Sequence, residues 1–243
     1  MQLPNYRKSY DKHVASILRS ADEFRAMSDA VGGEFHAVGE LEAALLRQFG
    51  LQDGQTVYDV GCGSGRLAYQ LSSTFDGIYV GLDVVSELLE YAKRIAARPE
   101  WKFYKAPGLS IPEEDESADY VCFFSVFTHL LHEESYLYLR DATRVTKPQG
   151  TILVSFLEFE VESTWETFRQ SVEDRRPEKV LTQFMSRDGL EAMARHCGLD
   201  VQAFLDGDKP LIRLEKEVSW EDGRVMRDYG FLGQSICVMR KVS

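Results

Sequence analysis

Asp59, Gly61, Gly63, Gly65 and Arg66 crowd into one decapeptide, Val57-Tyr-Asp-Val-Gly-Cys-Gly-Ser-Gly-Arg66, and are the residues best suited to hold a ligand. An apolar run ends in the acid, glycines follow at every second position, and Leu67-Ala-Tyr-Gln-Leu71 continues at helical spacing. The pattern reads as a strand, a tight turn and a helix N-terminus. Glycine permits positive φ in such a turn and lets a ligand lie against bare backbone. Exposed N–H groups and the helix dipole favour an anionic group on that ligand. A dinucleotide fingerprint needs a further glycine where this chain has Arg66. A guanidinium there suits a carboxylate better than a closely packed pyrophosphate. A P-loop is excluded, because no Gly-Lys-Ser or Gly-Lys-Thr closes the turn.

Positioning these residues takes an alternating scaffold. Strands are predicted at about 56–60, 78–83, 101–105, 118–124, 151–157, 199–205 and 234–241, with helices at about 34–48, 65–74, 86–97, 133–146, 162–175 and 186–197. Ser86 is placed as an N-cap, and Pro99 as the stop of the helix it begins. Residues 9–28 read as one polar amphipathic helix ended by Gly32-Gly33, and Asp206 to Gly233 as irregular. The expectation is an α/β, Rossmann-like, doubly wound sheet of seven mostly parallel strands whose last strand is antiparallel. A helical N-terminal extension or lid (1–33) precedes the main domain (34–243), which carries acceptor-side additions at about 159–185 and 206–233.

Four stretches in order resemble class I S-adenosylmethionine-dependent methyltransferases: Asp59-Val-Gly-Cys-Gly-Ser-Gly65, Ile78-Tyr-Val-Gly-Leu-Asp83, Asp119-Tyr-Val-Cys-Phe-Phe-Ser-Val-Phe-Thr-His129 and Lys147-Pro-Gln-Gly-Thr-Ile-Leu-Val154. They span roughly half the chain. The resemblance implies S-adenosylmethionine as cofactor, with S-adenosylhomocysteine as product. Gly61, Cys62 and Gly63 would face it, and Asp83 would accept from the ribose hydroxyls, with helix capping as its competing role. Asp59 would lie under the ammonium, or else bond within the turn, and Arg66 would meet the carboxylate or stay solvated. Adenine would lie between Val84 and Ala106-Pro107-Gly108. Many members place an aspartate in that loop and this chain does not, so backbone carbonyls or another residue must receive the adenine amino group. Phe124 and Ser125 complete the cofactor set.

The loop ending in His129 faces the methyl group in similar enzymes. His129 is the candidate general base, since imidazole titrates near neutral pH, with capping of the next helix as the competing role. Tyr6 or Tyr10 would close over the ligand, and Trp165 or Phe168, with His129, would line the acceptor pocket. Aromatics at helical spacing otherwise serve as core.

Composition limits the partners. The formal charge of −11 on 243 residues disfavours nucleic acid and anionic membranes. Cys62, Cys122, Cys197 and Cys237 show no metal-binding pairing and the five histidines no ligand spacing, so no metal is expected. No signal peptide or spanning segment is read, and a cytoplasmic monomer or homodimer is expected. The expected acceptor is a small metabolite, natural product or sugar, methylated on oxygen or nitrogen. A nicotinamide-dependent oxidoreductase and a noncatalytic S-adenosylmethionine-binding protein are the alternatives; Arg66 and the lack of a Tyr-x-x-x-Lys pair weigh against the first.

Overall fold

The computed structural model describes residues 6–17, 19, 22–176 and 179–242, and the side chain of Tyr6 lies outside the described set. Its helices are α1 (Tyr6–Ile17), α2 (Glu23–Asp29), α3 (Phe35–Gln48), α4 (Arg66–Ser72), α5 (Ser86–Ala96), α6 (His132–Val145), α7 (Glu162–Glu173) and α8 (Arg187–His196). The longer strands are β1 (Thr56–Val60), β2 (Ile78–Asp83), β3 (Lys102–Lys105), β4 (Ala118–Phe123), β5 (Thr146–Glu158), β7 (Leu199–Leu205) and β12 (Ser235–Lys241). Five two-residue strands complete the set: β6 (Phe184–Met185), β8 (Ile212–Arg213), β9 (Val218–Ser219), β10 (Val225–Met226) and β11 (Tyr229–Gly230).

The main sheet runs β3-β2-β1-β4-β5-β12-β7, with β6 added beside β5. Strands β1 to β5 are mutually parallel where they pair, and β12 is antiparallel to both β5 and β7. All five residues of β1 are buried, as a parallel strand covered on both faces must be. One face packs Val57, Tyr79 and Tyr120 against Leu41 and Leu45 of α3 and Leu67 and Leu71 of α4. The other packs Val60, Val121 and Val154 against Leu139 of α6 and Leu190 of α8. From β1 the chain builds outward to β2 and β3 on one side and to β4 and β5 on the other. The crevice beyond the carboxyl ends of β1 and β4 is therefore the topological switch point, where such sheets bind ligands.

Three local expectations are corrected. The single helix over 9–28 is two, because Asp22 accepts from the Arg25 N–H and starts α2 afresh. Ser86 is the first helical residue rather than the cap; Val85 precedes the helix, and its N–H bonds Asp83 Oδ1 at 2.8 Å. The stretch 206–233 is not wholly irregular, since β9 pairs β10 and β8 pairs β11, both antiparallel. Ile212, Leu214 and Val218 of this ribbon join the core cluster that contains Leu41. Among the described residues no helix is long and apolar enough to cross a membrane.

Candidate cofactor site

The glycine turn is built as its sequence requires. Gly61, Gly63 and Gly65 have φ of 78°, 54° and 86°, conformations that L side chains rarely adopt. A Cβ on Gly63 would lie 2.5 Å from Val31 Cγ1, and one on Gly65 would lie 2.6 Å from Ala92 Cβ of α5. Gly65 thus lets the start of α4 approach α5 closely. The Gly61 and Cys62 N–H groups both donate to the Leu82 carbonyl, at 2.6 and 2.9 Å, which ties the turn to the end of β2.

Asp83 ends β2 nearly buried, at 6% exposure. Its Oδ2 accepts from the Gly63 N–H at 2.9 Å and its Oδ1 from the Val85 N–H at 2.8 Å. An ionised carboxylate has about four acceptor sites, so it can take further hydrogen bonds from a diol. Asp59, at the end of β1, accepts from the Tyr79 hydroxyl at 2.6 Å. Burial pushes its carboxyl up to about 7, with Glu42 and Asp83 pushing the same way and the Tyr79 hydrogen bond and Arg66 opposing.

Arg66 lies on the wall of this site with its guanidinium engaged within the protein. Nε donates to Glu42 Oε1 at 2.8 Å, a second nitrogen meets the same oxygen at 2.6 Å, and a third donates to the Val31 carbonyl at 3.0 Å. Glu42 is 2% exposed, and burial raises its carboxyl against the pull of Arg66. Removing the cation strands a buried acid, so Arg66→Ala should cost about 3–5 kcal/mol in denaturant unfolding. A Glu42→Met/Arg66→Leu double variant should recover most of that loss.

The N-terminal segment is tied onto the turn. Ser64 Oγ donates to the Met27 carbonyl at 2.8 Å, and the Tyr10 ring centroid lies 5.7 Å from that of His129. Across the crevice, Ser125 follows β4 with φ of 60°. His129 closes a one-turn 3-10 helix (Phe127–His129), and its Nδ1 lies 2.8 Å from the Leu181 carbonyl. The carbonyl makes Nδ1 the protonated nitrogen, which puts the lone pair of a neutral ring on Nε2. The 180–183 segment is thus held against His129, and its Gln183 N–H also donates to the Thr128 carbonyl at 2.7 Å.

One cavity of about 600 Å³ joins these parts, within the range of small-molecule sites. Asp59, Gly61, Cys62, Gly63, Arg66, Asp83, Val84, Ala106, Gly108, Phe124, Ser125, Tyr10 and His129 line it. Pro107, Trp165 and Phe168 do not. Trp165 and Phe168 stack at 4.9 Å on α7 and form a four-ring cluster with Phe159 and Phe184. Leu181, Trp220, Leu232 and Gln234 line the cavity in their place.

A family model described as a methyltransferase domain matches residues 58–154, the stretch from β1 into β5. The malonyl-[acyl-carrier protein] O-methyltransferase of Hahella chejuensis is 27% identical over 79% of this chain and 66% of its own length. The aligned region therefore spans just under two thirds of that relative. A ubiquinone biosynthesis O-methyltransferase of Hydrogenovibrio crunogenus is 26% identical over 69% of this chain and 71% of its own. Over this stretch the chain carries a methyltransferase domain, similar to S-adenosylmethionine-dependent methyltransferases. The fold agrees: magnesium protoporphyrin IX methyltransferase of Synechocystis PCC 6803, solved with bound S-adenosylhomocysteine, superposes with a TM-score of 0.64 at 14% identity over 97% of each chain.

S-adenosylmethionine is the cofactor of such methyltransferases, and the residues present suit it. The open glycine backbone, the acid ending β2 and Asp59 at the end of β1 match a ligand with a diol and an ammonium group. Val84, Ala106, Gly108 and Leu109 give an apolar slot beyond Asp83. Sequence reasoning missed Glu42, Tyr79, Ser155, Leu181 and Gln234. Only Glu42 left a signal, as a lone acid between Leu41 and Ala43-Ala44 on an apolar helix face.

Proposed function

We propose that this protein transfers the methyl group of S-adenosylmethionine to an oxygen or nitrogen of a small-molecule acceptor. When bound, the cofactor supplies an electrophilic methyl carbon, whose bond to sulfur breaks as the bond to the acceptor forms. The observation that carries the reading is the continuity of one cavity from the glycine turn and Asp83, past Ser125, to His129 and Leu181. Asp83 holds the ribose hydroxyls, Asp59 faces the ammonium, and the backbone at 106–108 edges the adenine. Tyr10 and the segment Asp29 to Gly33 close the front of the cavity and exclude water. The protein's main contribution is alignment of nucleophile, methyl carbon and sulfur.

A base is needed only if the acceptor must lose a proton. His129 Nε2 is the group for that task, because the Leu181 carbonyl holds the proton on Nδ1. The net acidic charge favours a metabolite over nucleic acid, and four unpaired cysteines suit a reducing compartment such as the cytoplasm.

Calorimetry with S-adenosylhomocysteine, NAD and NADP tests the cofactor. Binding of the sulfur ligand alone is expected, and binding of a nicotinamide alone would overturn the reading. An acceptor panel of alcohols, phenols, carboxylates and amines, followed by S-adenosylhomocysteine release, tests turnover. With a hydroxyl acceptor, His129→Ala should lower kcat by roughly 10²–10⁴-fold at unchanged S-adenosylhomocysteine affinity. Equal turnover in the variant would leave His129 a structural residue.

A further inference from the structure

Three side chains from separate parts of the chain close a hydrogen-bonded ring on the cavity wall. The Ser125 N–H donates to Ser155 Oγ at 2.6 Å, Ser155 Oγ donates to Gln234 Oε1 at 2.7 Å, and Gln234 Nε2 donates to Ser125 Oγ at 3.0 Å. All three residues line the cavity. Ser125 follows β4, Ser155 lies within β5, and Gln234 directly precedes β12. The ring therefore sits on the opposite side of β1 from Asp83 and Ala106, which belong to β2 and the loop after β3. Of its four side-chain hydrogens, two are used inside the ring. One serine O–H and one amide N–H are left, and the count is the same in either orientation of the amide.

Ser125 makes this arrangement at a cost. Its φ of 60° is a left-handed conformation that a non-glycine residue adopts only where its surroundings hold it there. The ring and the Thr128 hydroxyl, which donates to the Ser125 carbonyl at 2.7 Å, hold it. A neutral wall that offers two neighbouring donors matches two neighbouring acceptor atoms on a ligand. The acidic groups of the cavity, Asp59, Glu42 and Asp83, belong to the other end.

Building on the methyl-transfer reading, we propose that the Ser125–Ser155–Gln234 ring is an acceptor subsite that recognises a carboxylate on the methyl acceptor, its leftover O–H and N–H donating to the two carboxylate oxygens. Ser155 acts as a positioning residue, since its oxygen is held by the Ser125 N–H and it fixes the Gln234 amide.

The test uses the full chain saturated with S-adenosylhomocysteine, whose own binding is measured first by calorimetry. If that ligand fails to bind, the methyl-transfer reading fails. If it binds, benzoate and benzylamine are titrated as probes, following the Gln234 side-chain amide by nuclear magnetic resonance. Benzoate should bind at least tenfold more tightly than benzylamine and shift the Gln234 amide signal. Gln234→Leu should weaken benzoate at least tenfold with S-adenosylhomocysteine affinity retained. Gln234→Glu keeps an acceptor for both serine hydroxyls but sets a negative charge before the probe, so it should favour benzylamine over benzoate. A purely structural ring would not produce that reversal. No benzoate binding, equal binding of the two probes, or unchanged benzoate affinity in Gln234→Leu would each overturn the proposal.

Discussion

Asp83→Asn should weaken S-adenosylhomocysteine binding by roughly a hundredfold or more, because one substitution breaks two sets of hydrogen bonds. Both carboxylate oxygens of Asp83 already accept backbone N–H groups, from Gly63 and Val85. An asparagine has one oxygen and one NH₂ group, so in either orientation a donor confronts a donor. Either the glycine turn loses its tie to β2, or the start of α5 loses its own. A buried N–H left unpaired costs about 1–3 kcal/mol, and the ribose loses charge-assisted bonds of similar size. The variant should therefore unfold at lower denaturant and bind the ligand weakly in calorimetry. Affinity within a few-fold of the parent would show that the ribose is held elsewhere. Asp83→Glu separates the two effects: it keeps the charge but moves it by one methylene, so stability should suffer less than binding.

The same residue shows how far the sequence could be read. A strand ending in an acid, 24 positions after Asp59, marked Asp83 as a site residue. The parallel pairing of its strand with β1 followed from the alternating pattern of elements, while the register that sets Asp59 beside Gly81 did not. What could not be read was the use of its two oxygens, since capping and ligand binding had been competing roles. In the folded chain its two oxygens accept the Gly63 and Val85 N–H groups, which fixes the carboxylate at the cavity wall. Arg66 was legible as a departure from the dinucleotide pattern, but its partner Glu42 lies 24 residues upstream on another element, and only packing of α3 on α4 brings them together. Trp165 and Phe168 were correctly seen as neighbours on a helix face. Yet their face turns to Phe159 and Phe184, a contact set by where β6 pairs with β5. The ribbon over 206–233 escaped notice because two-residue strands carry no periodicity. Gln234 escaped because its meaning depends on β12 entering between β5 and β7. Local pattern thus sufficed to bring Asp59, the glycine turn and Asp83 to one cavity wall. The acceptor end is assembled from residues 109 positions apart, as between Ser125 and Gln234.

S-adenosylhomocysteine affinity should rise with pH up to about 7 and level off above it, and Asp59→Asn should flatten most of that rise. The carboxyl of Asp59 titrates at about 7 in the folded protein, well above the ~4 of an unfolded chain. The folded state therefore holds this proton more tightly, and the stability it contributes is full below about pH 4 and lost as pH rises through about 7. Over some three pH units the loss amounts to roughly 4 kcal/mol, an order-of-magnitude figure. Glu42, Asp83, Arg66 and the Tyr79 hydroxyl are the other groups acting on this carboxyl, and burial outweighs them all. A ligand ammonium placed beside Asp59 favours the ionised form, so binding below pH 7 must expel the proton. Affinity should then climb by up to about tenfold per pH unit below that value. Calorimetry at pH 6 in buffers of different ionisation enthalpy should record close to one proton released by the parent and far less by Asp59→Asn. Any slope remaining in the variant belongs to Glu42, whose carboxyl is also raised by burial. In ligand-free unfolding the variant should gain on the parent as pH rises from about 5 to 8, because it has no carboxyl to ionise in the dry floor of the cavity. A parent whose affinity is independent of pH, with no proton released, would mean that the ammonium lies away from Asp59 and that the acid serves only to hold Tyr79.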